Sequence, residues 1–305
     1  MELSNLRMSK SIDGLPLVSI VTPSLNSERF IARTVESVLG QDYPNIEYIV
    51  VDGGSTDGTL AILDQYRNRL QYASGPDGGV ASAINKGFAQ SRGSILGWLS
   101  SDDTYLPGAI SRAVDRLLEV PEAGVVYGEG VWIDEHDNVL GRYPTETPFR
   151  ASMLERECPI CQPASLMRRE AFEGVGSLDT SVRFAFDYDL WIRLSRQYSF
   201  TTAPECLAAS RMHRGSITLG QRKPVLEENI RLLCRHFGYV PVNWIYGYLS
   251  FLRDGRDQFF SPLRQSPLVY LEALAVGTYY NSRHPWRYWS EWFSRISLRS
   301  LSAGR

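Results

Sequence analysis

The sequence predicts an α/β fold: a mixed, mostly parallel central sheet flanked by helices, followed by a C-terminal helical extension. Three features carry that expectation. A strand–helix–strand unit opens the chain between Leu17 and Val51, and such a unit sets its two strands parallel. Two short apolar runs, Ile46 to Val51 and Ser94 to Leu99, give way abruptly to acid, at Asp52 and at Asp102-Asp103. Ligands of an open parallel sheet sit at the carboxyl ends of its strands, so those acids stand where a site is expected. Beyond about Lys223 the strand pattern yields to apolar residues at helical spacing and to aromatic clusters.

The composition bounds the possibilities. A chain of 305 residues, 43% hydrophobic, holds one large domain or two modest ones with a sizeable core. A formal charge of -2 gives no basic balance, so nucleic acid is not an expected partner. Cys158, Cys161, Cys206 and Cys234 are too few for a disulfide framework and fit a reducing compartment. Cys158-Pro-Ile-Cys161 has the spacing of zinc or redox sites, but no second such pair follows. The stretch from Met1 to Gly14 lacks the apolar core of a secretory signal. No apolar run reaches the ~20 residues that span a bilayer as a helix. The expectation is a cytoplasmic protein.

Leu17 to Thr22 is rich in β-branched residues and ends at Pro23, which reads as a strand. Ser24 or Asn26 can then cap a helix whose apolar positions are Phe30, Ile31, Thr34, Val35, Val38 and Leu39. The second strand runs into Asp52-Gly-Gly-Ser-Thr-Asp-Gly-Thr59. There Gly53 and Gly54 permit close backbone approach, and Thr56 or Asp57 can cap a helix bearing Leu60, Leu63, Tyr66 and Leu70. A plain glycine-rich turn explains the same residues. Gly75-Pro-Asp-Gly-Gly79 enters a helix with Val80, Ile84 and Phe88 on its apolar face and Asn85 and Lys86 between them. Its N-terminus suits an anion, although neither a Walker loop nor a GxGxxG fingerprint is present.

Asp102 and Asp103 follow the next strand. Successive residues of an extended chain face opposite ways, so the pair can address two groups, for example a sugar hydroxyl and a divalent cation. Hard cations such as Mg2+ or Mn2+ take one or two carboxylates plus substrate phosphates. Capping of the helix near Pro107 is the plainer alternative.

A helix with Ile110, Val114 and Leu117 comes next, then a hairpin from Gly124 to Arg142 turning at His136-Asp-Asn138. In Phe186 to Arg193, Leu190 and Trp191 fit a buried helical face that puts Asp187 at or just before the first turn, where it can be an N-cap. His213 lies in Arg211 to Thr218, and a lone histidine there is as often structural as functional. In the extension, Leu226, Ile230, Leu233 and Phe237 mark a helix. From Asn281 to Arg305 five arginines and one acid accompany Trp286, Trp289, Trp292 and Phe293. Such a segment can lie in a membrane interface, or its aromatics can pack on the rest of the chain or on a second subunit.

Five blocks now stand in order: Ser19-Ile-Val-Thr-Pro-Ser-Leu-Asn26, Val50-Val-Asp-Gly-Gly-Ser-Thr-Asp-Gly-Thr59, Gly75-Pro-Asp-Gly-Gly79, Asn85-Lys-Gly87 and Trp98-Leu-Ser-Ser-Asp-Asp103. Together they resemble the family 2 inverting glycosyltransferases, which have the GT-A fold. The resemblance implies an N-terminal tail over 1–15, a GT-A domain over 16–220 and the extension over 221–305. Within the GT-A domain it implies a nucleotide-binding half over 16–105 and an acceptor half over 106–220. It places Pro23, Ser24, Asn26, Asp52, Asp77, Gly78, Asn85, Lys86 and Asp102 at the donor nucleotide sugar, with Asp52 at the base. Asp103 matches the metal-binding aspartate, implying Mn2+ or Mg2+, and His213 matches a residue at the metal or donor phosphate. Ser101 stands where the motif often has an acid. Cys158 to Arg169, with Gln162, resembles an acceptor-facing segment. Phe186-Asp-Tyr-Asp-Leu-Trp resembles the block carrying the catalytic base, which implies Asp187 in that role, with Phe186 in place of the usual glutamate.

The implied activity is inverting transfer of one sugar from a nucleotide sugar, taken as a UDP-sugar, to a glycan or lipid-linked glycan in surface polysaccharide assembly. Peripheral contact with the cytoplasmic face of a membrane through residues 240–305 is implied as well. A nucleotidylyltransferase would need a basic, glycine-rich loop where Pro23-Ser-Leu-Asn26 stands. A binding or scaffold protein without catalysis is the other alternative, against which Asp103 and Asp187 count.

Overall fold

In the first hundred residues, short β-branched runs alternate with helix-spaced apolar residues, and each run becomes a strand. The computed structural model describes residues 14–255 and 266–302, with backbone only for 296–302. The tail as far as Asp13, Arg305 and the Arg299 side chain lie outside the described residues. Strands β1 (Val18–Ser24), β2 (Ile46–Asp52), β3 (Gln71–Ser74) and β4 (Ile95–Trp98) lie parallel in the order β3-β2-β1-β4. Between them run α1 (Ile31–Leu39), α2 (Thr59–Asp64) and α3 (Val80–Gln90). β1 is buried along its whole length, as expected of a strand covered on both faces. Ser24 is in register with Asp52 and Val21 with Trp98, so the carboxyl ends of β1, β2 and β4 share one edge.

Next come β5 (Thr104–Tyr105), α4 (Ala109–Glu119), β6 (Ala123–Ile133), β7 (Val139–Arg142), β8 (Ser165–Arg168), α5 (Arg169–Gly174), α6 (Phe186–Leu194) and β9 (Ser199–Arg211). They continue the sheet as β4-β8-β6-β9-β5, with β7 paired to β6. β8 is antiparallel to β4 and to β6, whereas β6 and β9 are parallel, so the sheet is mixed as expected. β6 and β7 form the expected hairpin; Asp134 Oδ1 accepts the His136 and Asn138 N–H groups inside its turn.

The helix starts need correction. Ser24 belongs to β1 and Asn26 sits at φ 49°, while the Ser27 carbonyl accepts the Phe30 and Ile31 N–H groups ahead of α1; no side chain caps that helix. α2 stops at Asp64, short of Tyr66 and Leu70. Neither Asp102 nor Asp103 caps α4, which starts after Gly108 in the left-handed region. Strands β3 and β5 carried no signal: β5 has two residues, and β3 is largely exposed and lacks an apolar run.

The extension is helical: α7 (Ile217–Gly220) leads into α8 (Arg222–Phe237), α9 (Val242–Asp254), α10 (Pro267–Tyr280) and α11 (Pro285–Ser302). One apolar core runs unbroken from Val21 and Trp98 in the sheet through Trp191 of α6 to Ile230, Tyr288 and Trp292. Burial of each such large side chain contributes about 1.5–3 kcal/mol. α10 and α11 meet where a Cβ on Gly277 would fall 1.9 Å from the Tyr288 ring, so only glycine permits that approach. The aromatic tail thus divides: Tyr288 and Trp292 are buried, whereas Tyr279, Trp286 and Phe293 are exposed. Among the described residues no helix is long and apolar enough to cross a membrane.

Candidate active site

At the shared strand edge, Asp52 is completely buried and its carboxylate is spent on its own loop. Oδ2 accepts the Gly54 and Ser55 N–H groups at 3.0 and 2.8 Å and the Ser74 hydroxyl at 2.6 Å. Burial alone would raise this carboxyl, but those bonds together with the Ser55 hydroxyl hold it below the ordinary value. Asn26 crosses to the same loop, its Oδ1 accepting the Thr56 N–H at 2.9 Å. The Ser27 and Ser101 hydroxyls lie 2.7 Å apart and tie the loop after β1 to the acid pair.

Asp103 is 6% exposed; its Oδ1 accepts the Arg211 N–H at 2.7 Å and its carbonyl accepts the Thr34 hydroxyl at 2.8 Å. Burial, then the charge of Asp102, pushes the Asp103 carboxyl well above the ordinary range. Asp102 Oδ2 lies 3.0 Å from His213 Nε2, and the His213 ring packs 4.9 Å from that of Phe30. Arg211 knots these loops together: its buried guanidinium donates to the carbonyls of Asp102 and Asp134 and ion-pairs with Asp137 at 2.6 Å. The sequence reading missed that role, because an arginine closing a strand resembles any surface arginine.

Pro23, Ser24, Asp77, Asp102 and Asp103 line one cleft of about 250 Å³ together with Phe186. Asn26, Asp102 and His213 line a hollow beside it. A further cleft of about 210 Å³ brings Asp103 and Asp187 together, with Ser100, Gln162 and Phe186 between them. Gln162 is fixed there, its Nε2 donating to the Trp98 carbonyl at 2.8 Å. Asp52, Gly78, Asn85 and Lys86 line none of these spaces. Asn85 instead clamps the Leu178 backbone through Nδ2 at 2.9 Å and Oδ1 at 3.1 Å, and Lys86 donates to the Pro76 carbonyl.

The two carboxylates of α6 have opposite surroundings. Asp189 is fully buried; burial alone would raise it, but His236 at 2.7 Å, Arg193 at 2.7 Å and Arg235 at 2.8 Å hold it far below the usual range. Asp187 is half-buried on the cleft. Burial pushes its carboxyl up to about 6, against the Tyr188 N–H, which lowers it, and with the Glu228 charge, which raises it further. A carboxylate near neutrality is fit to accept a proton, and one locked among cations is not. Glu228 reaches from α8 to accept the Arg183, Phe184 and Ala185 N–H groups at 3.0, 2.6 and 2.8 Å, in the turn that leads into α6. Trp191 of α6 stacks on Trp98 of β4 at 5.8 Å.

Among the described residues no three His, Cys, Asp or Glu side chains converge as a metal cage. Cys158 and Cys161 are free thiols pushed upward by burial, so the CxxC pair forms neither a disulfide nor a reactive thiolate.

Residues 19–176 match the model described as Glycosyl transferase family 2. The chain belongs to glycosyltransferase family 2. It is 33% identical over 216 residues to an uncharacterized glycosyltransferase of Rickettsia prowazekii, covering 67% of this chain and 66% of that one. It is 29% identical over 224 residues to the chondroitin synthase of Escherichia coli, covering 72% of this chain and 32% of the synthase. The chain thus spans less than two thirds of the length of these curated relatives. Among solved structures it resembles S. aureus TarS 1-349 in complex with UDP-GlcNAc, at TM-score 0.56 and 16% identity over 87% of this chain and 81% of that one. It likewise resembles the mannosyltransferase PcManGT of Pyrobaculum calidifontis in complex with GDP-Man and Mn2+, at TM-score 0.56 and 18% identity over 95% and 76%. These likenesses show the GT-A fold. The family match ends at residue 176, so Asp187 and His213 lie beyond it.

Proposed function

We propose that this glycosyltransferase moves one sugar from a UDP-sugar to a glycan or lipid-linked glycan, with inversion, in the assembly of a surface polysaccharide. The observation that carries the reading is the cleft shared by Asp103 and Asp187, at the carboxyl edge of the parallel strands. Pro23, Ser24, Asn26, Asp77 and Asp102 would receive the donor, with Gly78, Lys86, Asp52 and Asn85 shaping the loops around it. Asp187 takes the proton of the acceptor hydroxyl as that oxygen attacks the anomeric carbon; the bond to the nucleoside diphosphate breaks on the opposite face. Such base assistance is typically worth about 10²–10⁴-fold. A single displacement needs no covalent enzyme intermediate.

Asp102 and Asp103, with His213 beside them, offer the hard donor set that Mn2+ or Mg2+ takes. A cation held there by one or two carboxylates would complete its shell with substrate phosphates. When bound, the cation supplies positive charge against the departing diphosphate. A UDP-sugar is chosen on the likeness to a neighbour solved with UDP-GlcNAc. The exposed Tyr279, Trp286 and Phe293 support peripheral contact with the cytoplasmic face of a membrane, checked by co-sedimentation with anionic vesicles.

The test is the melting temperature with UDP- and GDP-sugars, with and without Mn2+, because a ligand of the folded state raises it by mass action. A rise with a UDP-sugar whose Mn2+-dependent part disappears in Asp103→Ala supports the donor and metal site, and NMR of the product's anomeric proton then tests inversion. No rise with any nucleotide sugar overturns the reading. Binding without turnover in the presence of acceptors leaves a binding protein instead.

A further inference from the structure

Asp187 also lines a larger cavity, of about 450 Å³, that does not include Asp103. Its volume lies in the range of small-molecule sites. Trp132, Tyr143, Phe184 and Trp244 provide aromatic walls, and α8 and α9 of the extension close it with Asn229, Asn243 and Trp244. Two of these carry unmet buried polar atoms. Asn229, 8% exposed, lines the cavity beside them. Asn243 Oδ1 and Trp244 Nε1 are buried without a partner, although Asn243 Nδ2 donates to the Arg156 carbonyl at 2.7 Å.

Folded proteins satisfy nearly all buried polar groups, so two unmet ones on adjacent residues of one cavity call for a partner that arrives from outside. That partner must both donate and accept, since the cavity offers an amide, a carbonyl oxygen and an indole N–H. It must also present apolar faces to aromatic rings. A pyranose meets both demands: its hydroxyls donate and accept, and its C–H faces lie flat against an indole or phenol ring.

We infer that this cavity seats a sugar ring of the acceptor, and that the C-terminal extension, outside the family-matched segment, supplies its recognition groups. The inference rests on the transferase reading. A ring held between Trp244 and Trp132 lies in a space that Asp187 also lines, so a neighbouring hydroxyl can reach the base.

The experiment uses the full chain and methyl β-glycosides of glucose, galactose, N-acetylglucosamine and glucuronic acid, read by saturation-transfer NMR. UDP and GDP affinities and melting temperatures are measured in parallel. Asn229→Ala and Trp244→Phe are compared with the unmodified protein; the second removes the indole N–H and keeps a ring. At least one glycoside should bind, and each substitution should weaken it about three- to ten-fold, the loss of one hydrogen bond. Nucleotide affinity should not change. Both variants should melt as folded proteins, so that a loss of glycoside binding reports the cavity and not unfolding. If no glycoside binds, or if both variants bind as the parent does, the subsite is wrong. Glycoside binding that responds to both variants, in a protein that ignores nucleotides, upholds the subsite and sinks the transferase reading.

Discussion

The two edges of the cleft present the same chemical group, a carboxylate at the end of an element, but hold it in different ways. On the donor edge Asp52 is bound by Gly54 and Ser55, two and three residues onward, and by Ser74. Asp103 is fixed by β9 of the same sheet. On the base edge, Asp187 sits after a turn that Glu228 ties down from 43 to 45 residues away, and α6 is anchored again where Asp189 meets Arg235 and His236. On the donor edge Asp52 is held within its own motif and Asp103 from a distant strand of the same sheet, whereas the edge of the proposed base is completed by the extension.

The largest expected effect lies at the proposed base. Asp187→Asn should lower transfer about 10²–10⁴-fold while leaving nucleotide-sugar affinity intact, measured by initial rates and calorimetry. Equal loss of both would break the division between the edges. Next, Gly277→Ala drives a methyl into the Tyr288 ring and should cost about 1–3 kcal/mol, seen in denaturant melts. Turnover should suffer in that variant before donor affinity does. Glu228→Gln keeps the shape but drops the charge that caps the turn before α6, and should cost about tenfold in kcat through misplacement of the base. The donor's KM should stay as it was.

A separate effect is on stability against pH. Burial raises the Asp187 carboxyl to about 6 in the fold, against an ordinary value of 3.8. The native state therefore holds more protons than the unfolded chain between those values, and stability falls as pH rises through them, then levels off above 6. Asp187→Asn should remove that fall, leaving a variant more stable than its parent at pH 7 and no more stable below pH 3.8. Asp189 has the opposite sign: its stabilisation is present above the ordinary carboxylate value and fades as the solution is made more acid.

Much of the donor edge was legible because strand ends, glycines and acids fall within a few residues of one another. Asp102 and Asp103 stand out this way and line one cleft, whereas Asp187 was marked by the resemblance of its block and lines a second cleft with Asp103. What stayed hidden was non-local. Glu228 reads as an ordinary polar position on a helix, and only packing of α8 against α6 gives its carboxylate three N–H groups to accept. Arg211 was equally silent. The aromatic tail could not be divided from sequence either. Whether Trp292 or Trp286 points inward depends on the rotation of α11 against α10, which the close contact at Gly277 sets. β5 has only two residues, and β3, largely exposed, lacks the apolar run that marks the equally short β4.

The most direct test of an extension that completes the base site is the pH dependence of kcat/KM, which reports the essential groups of the free enzyme. It is measured for the parent, Glu228→Gln and Asp187→Asn. The account predicts a parent rate that climbs through an inflection near 6, the value to which burial raises Asp187. That inflection should move lower in Glu228→Gln, where a neighbouring negative charge is gone, and vanish in Asp187→Asn. The same inflection in all three proteins would contradict it, because the group titrating would then be neither Asp187 nor anything that Glu228 touches.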